Sequence, residues 1–462
     1  MLNELDAQGS LTSNQKKLIF AGTLGLVLEF LDYFLIGFVL TFIAKPWQLT
    51  FGTSSIILLS SGIGAMIGAT FFGWLADTIG RRRVFLFTIG LFTISTGALI
   101  FTPESVAYGW IYLAAFRLLI GFGAGGLYCV DLPLIQEFVP TSKRGRISGL
   151  VTSAVPVGFL LGSIMVAFLA PSIGWRGLMA VCVGISITAF FFRTWVPESP
   201  RWLLRNGRPE DARRSIAWAL EVDENILPLT ADVDAGPQPK FRDLFKYPRS
   251  VALSWISNIG MQTGYYGLTL WAPTLLVQVL EVPPANAAFY MIFVTCAALA
   301  GRIVFSILSE KIGRRVAGIV CAGGAVAMLL VAAAGGSALS ASFTGFLAVL
   351  MAAFFFGEGG FAIVGPYSAE VWPISLRATG MGAAYGFGGI GKIIGPMGLA
   401  FIVGSSAAAA PSSSGISFQN AFLYFAGWYA LACVAFAVFG IETKNRSIED
   451  IQLELDGQAA KI

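Results

Sequence analysis

Apolar residues are gathered into twelve long runs, which short polar segments separate. A helix that crosses the hydrocarbon core of a bilayer needs about 20 mostly apolar residues, and each run reaches that length. The pattern therefore predicts twelve membrane-spanning helices. Their expected bounds, numbered here as runs 1 to 12, are 17–44, 54–76, 83–102, 108–138, 146–170, 175–195, 250–279, 285–309, 315–336, 343–372, 376–404 and 418–441.

The composition supports the same fold class. Of 462 residues, 56% are hydrophobic and only 12% are charged, and the mean hydropathy is +0.75. A soluble domain has no place for so much apolar surface, whereas a bilayer provides one. The net charge of +4 is too small to indicate a nucleic-acid partner. We therefore predict an all-α membrane protein surrounded by lipid.

Positive residues are concentrated on one side of the predicted membrane. With the termini inside, only Lys45 and Arg176 lie in the outer loops, while the inner segments carry Lys16, Lys17, Arg81, Arg82, Arg83, Lys143, Arg144 and Arg146. Such an excess marks the cytoplasmic side. We expect a multi-pass protein with both termini in the cytoplasm. Its compact loops suggest a bacterial inner membrane.

An internal repeat divides the chain. The segment GWLADTIGRR (73–82) reappears, degenerate, as SILSEKIGRR (306–315), and the same offset of 233 residues aligns EFVPTSKRGRISG (137–149) with EVWPISLRATGMG (370–382). Two separate loops that agree on one shift indicate two homologous halves, an arrangement that places the substrate of transporters between the repeats.

The repeat also predicts the domain organisation. We expect an N-terminal six-helix half at 1–196, a cytoplasmic linker at 197–249 and a C-terminal six-helix half at 250–462. Within the linker, Pro209, Glu210 and Asp211 are typical of a helix start, because proline suits the first turn and acids suit the positive helix end. The stretch 232–240 predicts a flexible connection.

Several kinds of chemistry are missing from the sequence. Histidine is absent, the five cysteines fall inside apolar runs without a CxxC spacing, and no GxxxxGK[ST] loop occurs. Because no nucleophile and base, metal cluster or phosphate loop is recognisable, we predict that the protein is not an enzyme, has no cofactor or metal, and does not use ATP directly.

Four motifs resemble those of the major facilitator superfamily, across nearly the whole chain. GWLADTIGRR (73–82) resembles its loop between helices 2 and 3, and RLLIGFGAG (117–125) is similar to its helix 4 motif. PESPRWL (197–203) and ETKNRSIED (442–450) resemble the segments after helices 6 and 12 in the sugar-porter branches. The resemblance implies two pseudo-symmetric six-helix bundles and a monomer.

The resemblance also implies a cytoplasmic latch, in which acids and arginines hold helix ends together in one conformation. It pairs Glu198 with Arg144 or Arg146, and Glu442 with Arg377. The alternative is that these charges only set topology and solvation. The latch candidates are Gly73, Asp77, Gly80, Arg81, Arg82, Glu137, Arg144, Glu198, Glu310, Arg314, Glu370, Arg377 and Glu442.

Differences from the sugar porters indicate which branch of the superfamily the sequence resembles more. Their helix 7 usually carries paired glutamines followed by glycine and asparagine, but the corresponding segment MQTGYY (261–266) keeps one glutamine, Gln262, and no asparagine. LEFLDYF (28–34), DLPLIQEFVPTSKRGR (131–146) and YSAEVWP (367–373) instead resemble the aromatic-acid, niacin-like and metabolite:proton symporters. Those branches mostly carry small organic acids.

Each ionisable residue inside a run costs roughly 2.5–3.5 kcal/mol to insert into the membrane. Such residues are therefore candidates for a specific role. Glu29 and Asp32 are three residues apart and share a helix face. Two neighbouring carboxylates in a low dielectric favour uptake of a proton. The resemblance implies that Asp32 lies beside Arg117 and forms an ion pair with it. Protonation of Asp32 would then release Arg117. A permanent structural ion pair is the alternative.

The substrate candidates lie mainly in the C-terminal half. Lys392 is a cation suited to a small carboxylate, although it and Glu358 could simply neutralise each other. Arg302 fits anion binding and ion pairing equally well, and Asp131 fits a cavity role or a helix-pinning one. Run 7 is expected to break near Gly264 and Gly267. The candidates are Lys392, Glu358, Arg302, Tyr265, Tyr266, Gln262 and Asp131.

The leading hypothesis is a secondary active transporter that moves a small organic carboxylate, aromatic carboxylates included, together with protons by alternating access. A sugar or polyol facilitator or symporter is the alternative. A third is a transporter-like nutrient sensor, which the roughly 20 residues after Gly440 disfavour because sensors carry long cytosolic tails. The partners we expect are a small-molecule substrate and protons.

Overall fold

The computed structural model describes residues 2–6, 8–229, 241–340, 342–373, 376–403, 415–444, 446, 451 and 453–455. Within these ranges the chain is almost entirely helical. The α-helices are α1 (Leu2–Asp6), α2 (Ser13–Ile43), α3 (Phe51–Ile79), α4 (Arg81–Leu99), α5 (Gly109–Glu137), α6 (Thr141–Thr152), α7 (Ala154–Thr194), α8 (Pro200–Arg205), α9 (Pro209–Leu220), α10 (Pro248–Leu280), α11 (Pro284–Ile312), α12 (Arg314–Ser340), α13 (Phe343–Glu370), α14 (Arg377–Gly389), α15 (Gly391–Val403) and α16 (Gly415–Phe439).

The twelve predicted runs are confirmed as helices. Ten helical stretches among the described residues are long and apolar enough to cross a membrane. One of them, Ile147–Thr194, contains a non-helical Gly174 and counts as two, the predicted runs 5 and 6. The one remaining run, run 7, is helix α10. It spans 33 residues, and buried polar side chains such as Ser254 and Gln262 make it less apolar than the other spanning helices.

The linker contains the predicted short helix. Pro209 is the first residue of α9, and Glu210 and Asp211 lie in its first turn. The acids therefore stand where the helix dipole favours negative charge. The flexible connection predicted at 232–240 lies outside the described residues.

The chain divides into two compact units. Unit 1 comprises Met1–Tyr33, Ile63–Gly162 and Ser172–Gly236. In it α4 packs along α5, and α3 approaches α5 so closely that a Cβ on Gly64 or Gly68 would meet the backbone of Leu118 or Phe122. Small residues of this kind allow helices to pack tightly in lipid.

Unit 2 comprises Phe34–Gly62, Ser163–Pro171 and Pro237–Ile462. Helix α10 packs against α13, α14, α15 and α16. Within this unit, Ser55 of α3 and Trp271 of α10 both donate to the backbone oxygen of Pro396, at 3.0 and 3.2 Å. The segments 34–43 and 51–62 of α2 and α3 thus belong to one packed body with α10 and α15.

The sequence repeat reappears in the packing of each unit. Gly68 of α3 lies against the Phe122 carbonyl in unit 1, and Gly301 of α11 lies against the Phe355 carbonyl in unit 2. Both partners are shifted by the offset of 233 residues that the loops display. The same helix-to-helix contact is therefore built twice.

The break expected in run 7 is wrong. Helix α10 continues without interruption from Pro248 to Leu280. Gly264 instead faces the ring of Tyr429, and a Cβ on Gly267 would lie 2.9 Å from the Cα of Gly395. The glycines serve close helix packing, which needs a small side chain but no bend.

Candidate functional site

A buried ion pair joins α2 and α5 in unit 1. The Arg117 Nη1 atom contacts the Asp32 carboxylate and also donates to the Asp32 backbone oxygen at 3.1 Å. Both side chains are 1% exposed. The predicted contact between these two residues is confirmed, while its part in transport stays a prediction.

A second buried ion pair joins α5 and α7. Arg193 contacts Asp131, and both side chains are fully buried. The guanidinium also donates to the Phe85 backbone oxygen at 3.2 Å and stands 3.9 Å from the centre of the Phe85 ring. Asp131 is thus held by a partner, which favours the helix-pinning alternative for this structure.

Sequence reasoning missed Arg193. It is the penultimate residue of α7, so it resembled a topology-setting charge at the end of run 6. Arginines in that position usually extend toward the interface. The available signal was Asp131, because a carboxylate inside a membrane helix needs a cation nearby.

Glu29 lies one helical turn before Asp32 on α2 and is also buried, with 5% of its surface exposed. Gly25, one turn earlier on α2, borders the Arg193 guanidinium so closely that an added Cβ would overlap it. The predicted coupling residues Glu29 and Asp32 therefore lie on a helix that faces two buried arginines.

A third ion pair lies in unit 2, between Arg302 of α11 and Glu358 of α13. Glu358 is completely buried and Arg302 is 11% exposed. The Tyr265 hydroxyl is within electrostatic reach of both. Of the two possibilities left open for Arg302, the structure has ion pairing, and its partner is Glu358.

Lys392 of α15 lies beside aromatic rings. Its Nζ atom is 4.9 Å from the centre of the Tyr266 ring. Tyr266 in turn stacks on Phe34, with centroids 6.3 Å apart and an interplanar angle of 19°. We call the surrounding rings the aromatic cluster; its members are Phe34, Tyr265, Tyr266, Phe354 and Phe361.

Gln262 belongs to a polar row on α10. Its side-chain amide donates to Asn258 Oδ1 at 3.3 Å and to the Tyr385 backbone oxygen at 3.5 Å. Asn258 donates to Ser254 and to Ser368. The spacing of Ser254, Asn258 and Gln262 at four residues was a readable signal for a polar face, but only Gln262 was predicted from the sequence.

The latch candidates of unit 1 converge at the start of α4. Gly80 has φ 103°, and the Glu198 carboxylate accepts the backbone N–H groups of Arg81 and Arg82 at 2.8 and 3.0 Å. The Arg81 side chain contacts Glu137, which also accepts the hydroxyl of Ser199. Glu198 thereby satisfies the open N–H groups at the positive end of a helix.

Unit 2 repeats this arrangement at the start of α12. Gly313 has φ 96°, and the Glu442 carboxylate accepts the backbone N–H of Arg314 at 3.0 Å. The Arg314 side chain lies 3.5 Å from Glu370, whose carboxylate accepts the hydroxyl of Thr443 at 2.5 Å.

The implied pairs of Glu198 and Glu442 with arginines stay predictions, because the Arg146 side chain lies outside those that the structure describes and no described contact of Arg377 decides its pair. Glu198 and Glu442 cap helix starts, whereas Arg144 donates to the Val139 backbone oxygen at 3.1 Å and lies 3.9 Å from Asp6. A carboxylate gains two aligned amide donors at a helix start, which a single side-chain cation does not provide.

The remaining latch candidates are at or near these clusters. The Asp77 backbone oxygen accepts from Trp202 at 2.9 Å, and Arg82 donates to the Thr194 oxygen at 2.9 Å. Glu310 and Arg377 line one cavity with Arg314. Gly73 has open space where a Cβ would lie. Among the described residues, no group of three or more His, Cys, Asp or Glu could hold a metal ion.

Comparisons with known proteins agree with this geometry. The family model described as sugar (and other) transporter matches residues 18–455. The niacin transporter NiaP of Acinetobacter baylyi is 28% identical over 459 residues, covering 94% of this chain and 96% of that protein. The cis,cis-muconate transport protein of the same organism is 25% identical over 389 residues, covering 82% of this chain and 85% of that protein.

Among solved structures, the inward open conformation of the xylose transporter XylE from E. coli matches with a TM-score of 0.76 at 19% identity, covering 95% of this chain and 99% of that one. The family is one of membrane transporters and not of enzymes. The chain therefore belongs to the sugar (and other) transporter family and has the twelve-helix fold of the major facilitator superfamily.

Proposed function

We propose that the protein is a proton-coupled symporter of a small organic carboxylate, with an aromatic or planar conjugated acid as the preferred substrate. The observation that carries the proposal is the position of Lys392 beside the ring of Tyr266 within the aromatic cluster. A cation attracts the carboxylate, and aromatic faces suit the planar body of such an acid.

The charges of unit 2 support an anionic substrate. The formally charged residues described near the middle of its spanning helices are Glu358, Arg302 and Lys392. Since Glu358 contacts Arg302, this set carries one positive charge in excess. A positive charge in a low-dielectric site favours an anion over a neutral solute. The names of the niacin and muconate relatives point to the same class of substrate.

The buried Asp32–Arg117 pair supports proton coupling. Two opposite charges removed from water hold each other firmly, but protonation of Asp32 cancels their attraction. Uptake of a proton would therefore free Arg117 and loosen α2 from α5. In the proposed cycle this change accompanies rocking of the halves 1–196 and 250–462 about the linker 197–249, in a monomer.

The substrate class is tested with purified protein in proteoliposomes. Uptake of labelled nicotinate is measured alone and in competition with benzoate, cis,cis-muconate, nicotinamide and D-xylose. Nicotinate and nicotinamide form a matched pair that differs mainly in charge. We expect the acids to compete at concentrations at least tenfold lower than nicotinamide or xylose. Equal competition by acid and amide would contradict the carboxylate assignment.

The same assay distinguishes a sugar transporter from a carboxylate symporter. The buried polar row of Asn258 and Gln262 offers hydrogen-bond partners of the kind that a sugar needs. Saturable xylose uptake that the acids do not inhibit, with no accompanying proton movement, would favour a sugar facilitator.

The proposed orientation places both termini in the cytoplasm of a bacterial inner membrane. The concentration of Lys and Arg in alternate loops supports it. Labelling of single cysteines by a membrane-impermeant reagent in intact cells tests it: a cysteine at Lys45 should react, and one at Lys17 should not. The reverse pattern would contradict the orientation.

A further inference from the structure

Three glycines of run 11 lie directly against α10. A Cβ added to Gly391 would stand 2.6 Å from the Thr263 backbone nitrogen, and one added to Gly395 would stand 2.7 Å from the Thr263 backbone oxygen. A Cβ added to Gly388 would stand 2.3 Å from the side-chain nitrogen of Gln262. The spacing of three and four residues places these glycines on one helix face. A larger side chain on this face would therefore push α14 and α15 away from α10.

Other glycines of the same segment lack such contacts. A Cβ on Gly386 or Gly389 of α14 would meet no atom of the described residues within 4 Å. Between α14 and α15, the Ile390 N–H group donates to the Phe387 oxygen at 3.2 Å, only three residues back. A tightened turn of this kind within a longer helix is a common feature of functional segments.

Lys392 directly follows the contact at Gly391. Its Nζ atom lies 4.9 Å from the centre of the Tyr266 ring, within the range of a cation–π contact. Tyr266 is three residues after Thr263 on α10, so the residues next to Gly391 and Lys392 share one face of that helix. The approach of Gly391 to Thr263 thus sets how far the lysine backbone lies from the ring that its ammonium group contacts.

A glycine of α3 also borders the Lys392 backbone. A Cβ on Gly62 would stand 3.2 Å from both the Cβ atom and the backbone oxygen of Lys392. One turn further along α15, the Ser55 hydroxyl of α3 donates to the Pro396 oxygen at 3.0 Å. All four residues belong to unit 2, although Gly62 comes from run 2 of the predicted N-terminal half. Two helices, α10 and α3, therefore hold the backbone around Lys392.

We infer that Gly391 and Gly62 are positioning residues for Lys392. Because neither has a side chain, α10 and α3 hold the lysine backbone where its ammonium group reaches the Tyr266 ring and receives the substrate carboxylate. The inference rests on the proposed carboxylate symport. It adds that affinity for the acid depends on the packing of α3 against α15, since a residue from the N-terminal half helps to place a cation of the C-terminal half.

The first test measures competition uptake in proteoliposomes. Gly391→Ala and Gly62→Ala should each raise the half-saturating concentration of nicotinate by about fivefold or more, because the ammonium group is displaced from its place in the site. That of nicotinamide should change little, whereas general damage to the fold would weaken acid and amide alike. Gly389→Ala is the matched control, because its Cβ meets no described atom within 4 Å, and it should leave both values unchanged.

Melting curves show whether each variant is folded. Gly62→Ala is the milder change, since its Cβ would stand 3.2 Å from the nearest atoms, against 2.6 Å for Gly391→Ala. It keeps the inference testable if Gly391→Ala does not fold.

A second test reports the surroundings of Lys392 without transport. The purified full-length protein is acylated with an N-hydroxysuccinimide ester, and peptide mass spectrometry gives the rate at Lys392 relative to the exposed Lys45. In Gly391→Ala the relative rate should rise by about threefold or more, because an amine displaced from a ring and from packed helices is more accessible. In Gly389→Ala the rate should equal that of the wild-type protein.

The outcomes separate this inference from the proposed function. Unchanged acylation and unchanged nicotinate affinity in Gly391→Ala and Gly62→Ala would overturn the positioning role, and so would equal changes in Gly389→Ala. Faster acylation of Lys392 in Gly391→Ala, in a protein whose wild-type form does not distinguish nicotinate from nicotinamide, would support the positioning role and overturn only the carboxylate assignment.

Discussion

Gly80 and Gly313 occupy equivalent positions in the two units. Their φ angles are positive, 103° and 96°, and a glutamate carboxylate lies directly against each glycine. A Cβ on Gly80 would collide with Glu198, and one on Gly313 would collide with Glu442. The paired Gly-Arg-Arg segments therefore bring a carboxylate onto the open N–H groups of a helix start.

This relationship predicts the effect of an added methyl group. Gly80→Ala should lower the free energy of unfolding by roughly 1–3 kcal/mol, because alanine at positive φ is strained and displaces Glu198. The transition of the purified protein, followed by thermal melting, should shift down, and transport should fall. Gly73→Ala is the matched control, since a Cβ at Gly73 meets nothing within 4 Å. Equal shifts for both variants would show that Gly80 holds no special conformation.

A substitution at Lys392 tests the carboxylate site. Lys392→Gln should raise the half-saturating concentration of nicotinate at least tenfold and change that of nicotinamide little, because only the acid loses an ion pair. Competition uptake in proteoliposomes measures both. Tyr266→Phe, which keeps the ring beside Lys392, should retain most nicotinate uptake. If Lys392→Gln weakened acid and amide equally, Lys392 would have a structural role only.

The Arg302–Glu358 pair predicts a stability effect. Arg302→Gln leaves Glu358 buried without its cation, which typically costs about 3–5 kcal/mol. We expect a lower melting temperature for Arg302→Gln and substantial recovery in Arg302→Gln combined with Glu358→Gln, where no charge is left. A double variant as unstable as the single one would mean that the ion pair is not the cause.

The helices and one of the ion pairs could be predicted from the sequence. Run 7, expected at 250–279, is α10 at Pro248–Leu280, because apolar runs of bilayer length leave little choice of structure. The Asp32–Arg117 contact was predicted from the resemblance to the sugar-porter branches, which implies an aspartate of helix 1 beside an arginine of helix 4.

The other contacts depend on geometry that the sequence does not carry. Arg193 stands at a helix end, so only the packing of α7 shows that its side chain turns inward to Asp131. Glu198 bonds to backbone N–H groups, which a search for oppositely charged side chains overlooks. Gly264 and Gly267 signal a bend and close packing equally well, and the contact with Tyr429 decides between them.

The central claim is that Asp32 couples proton uptake to carboxylate transport through Arg117. The most direct test compares wild-type protein and Asp32→Asn in proteoliposomes that contain an internal pH dye, with an inward gradient of nicotinate and parallel measurement of labelled nicotinate counterflow. We predict that wild-type protein acidifies the interior as nicotinate enters. Asp32→Asn should keep counterflow but move no protons. Acidification by Asp32→Asn at the wild-type ratio of protons to nicotinate would contradict the account.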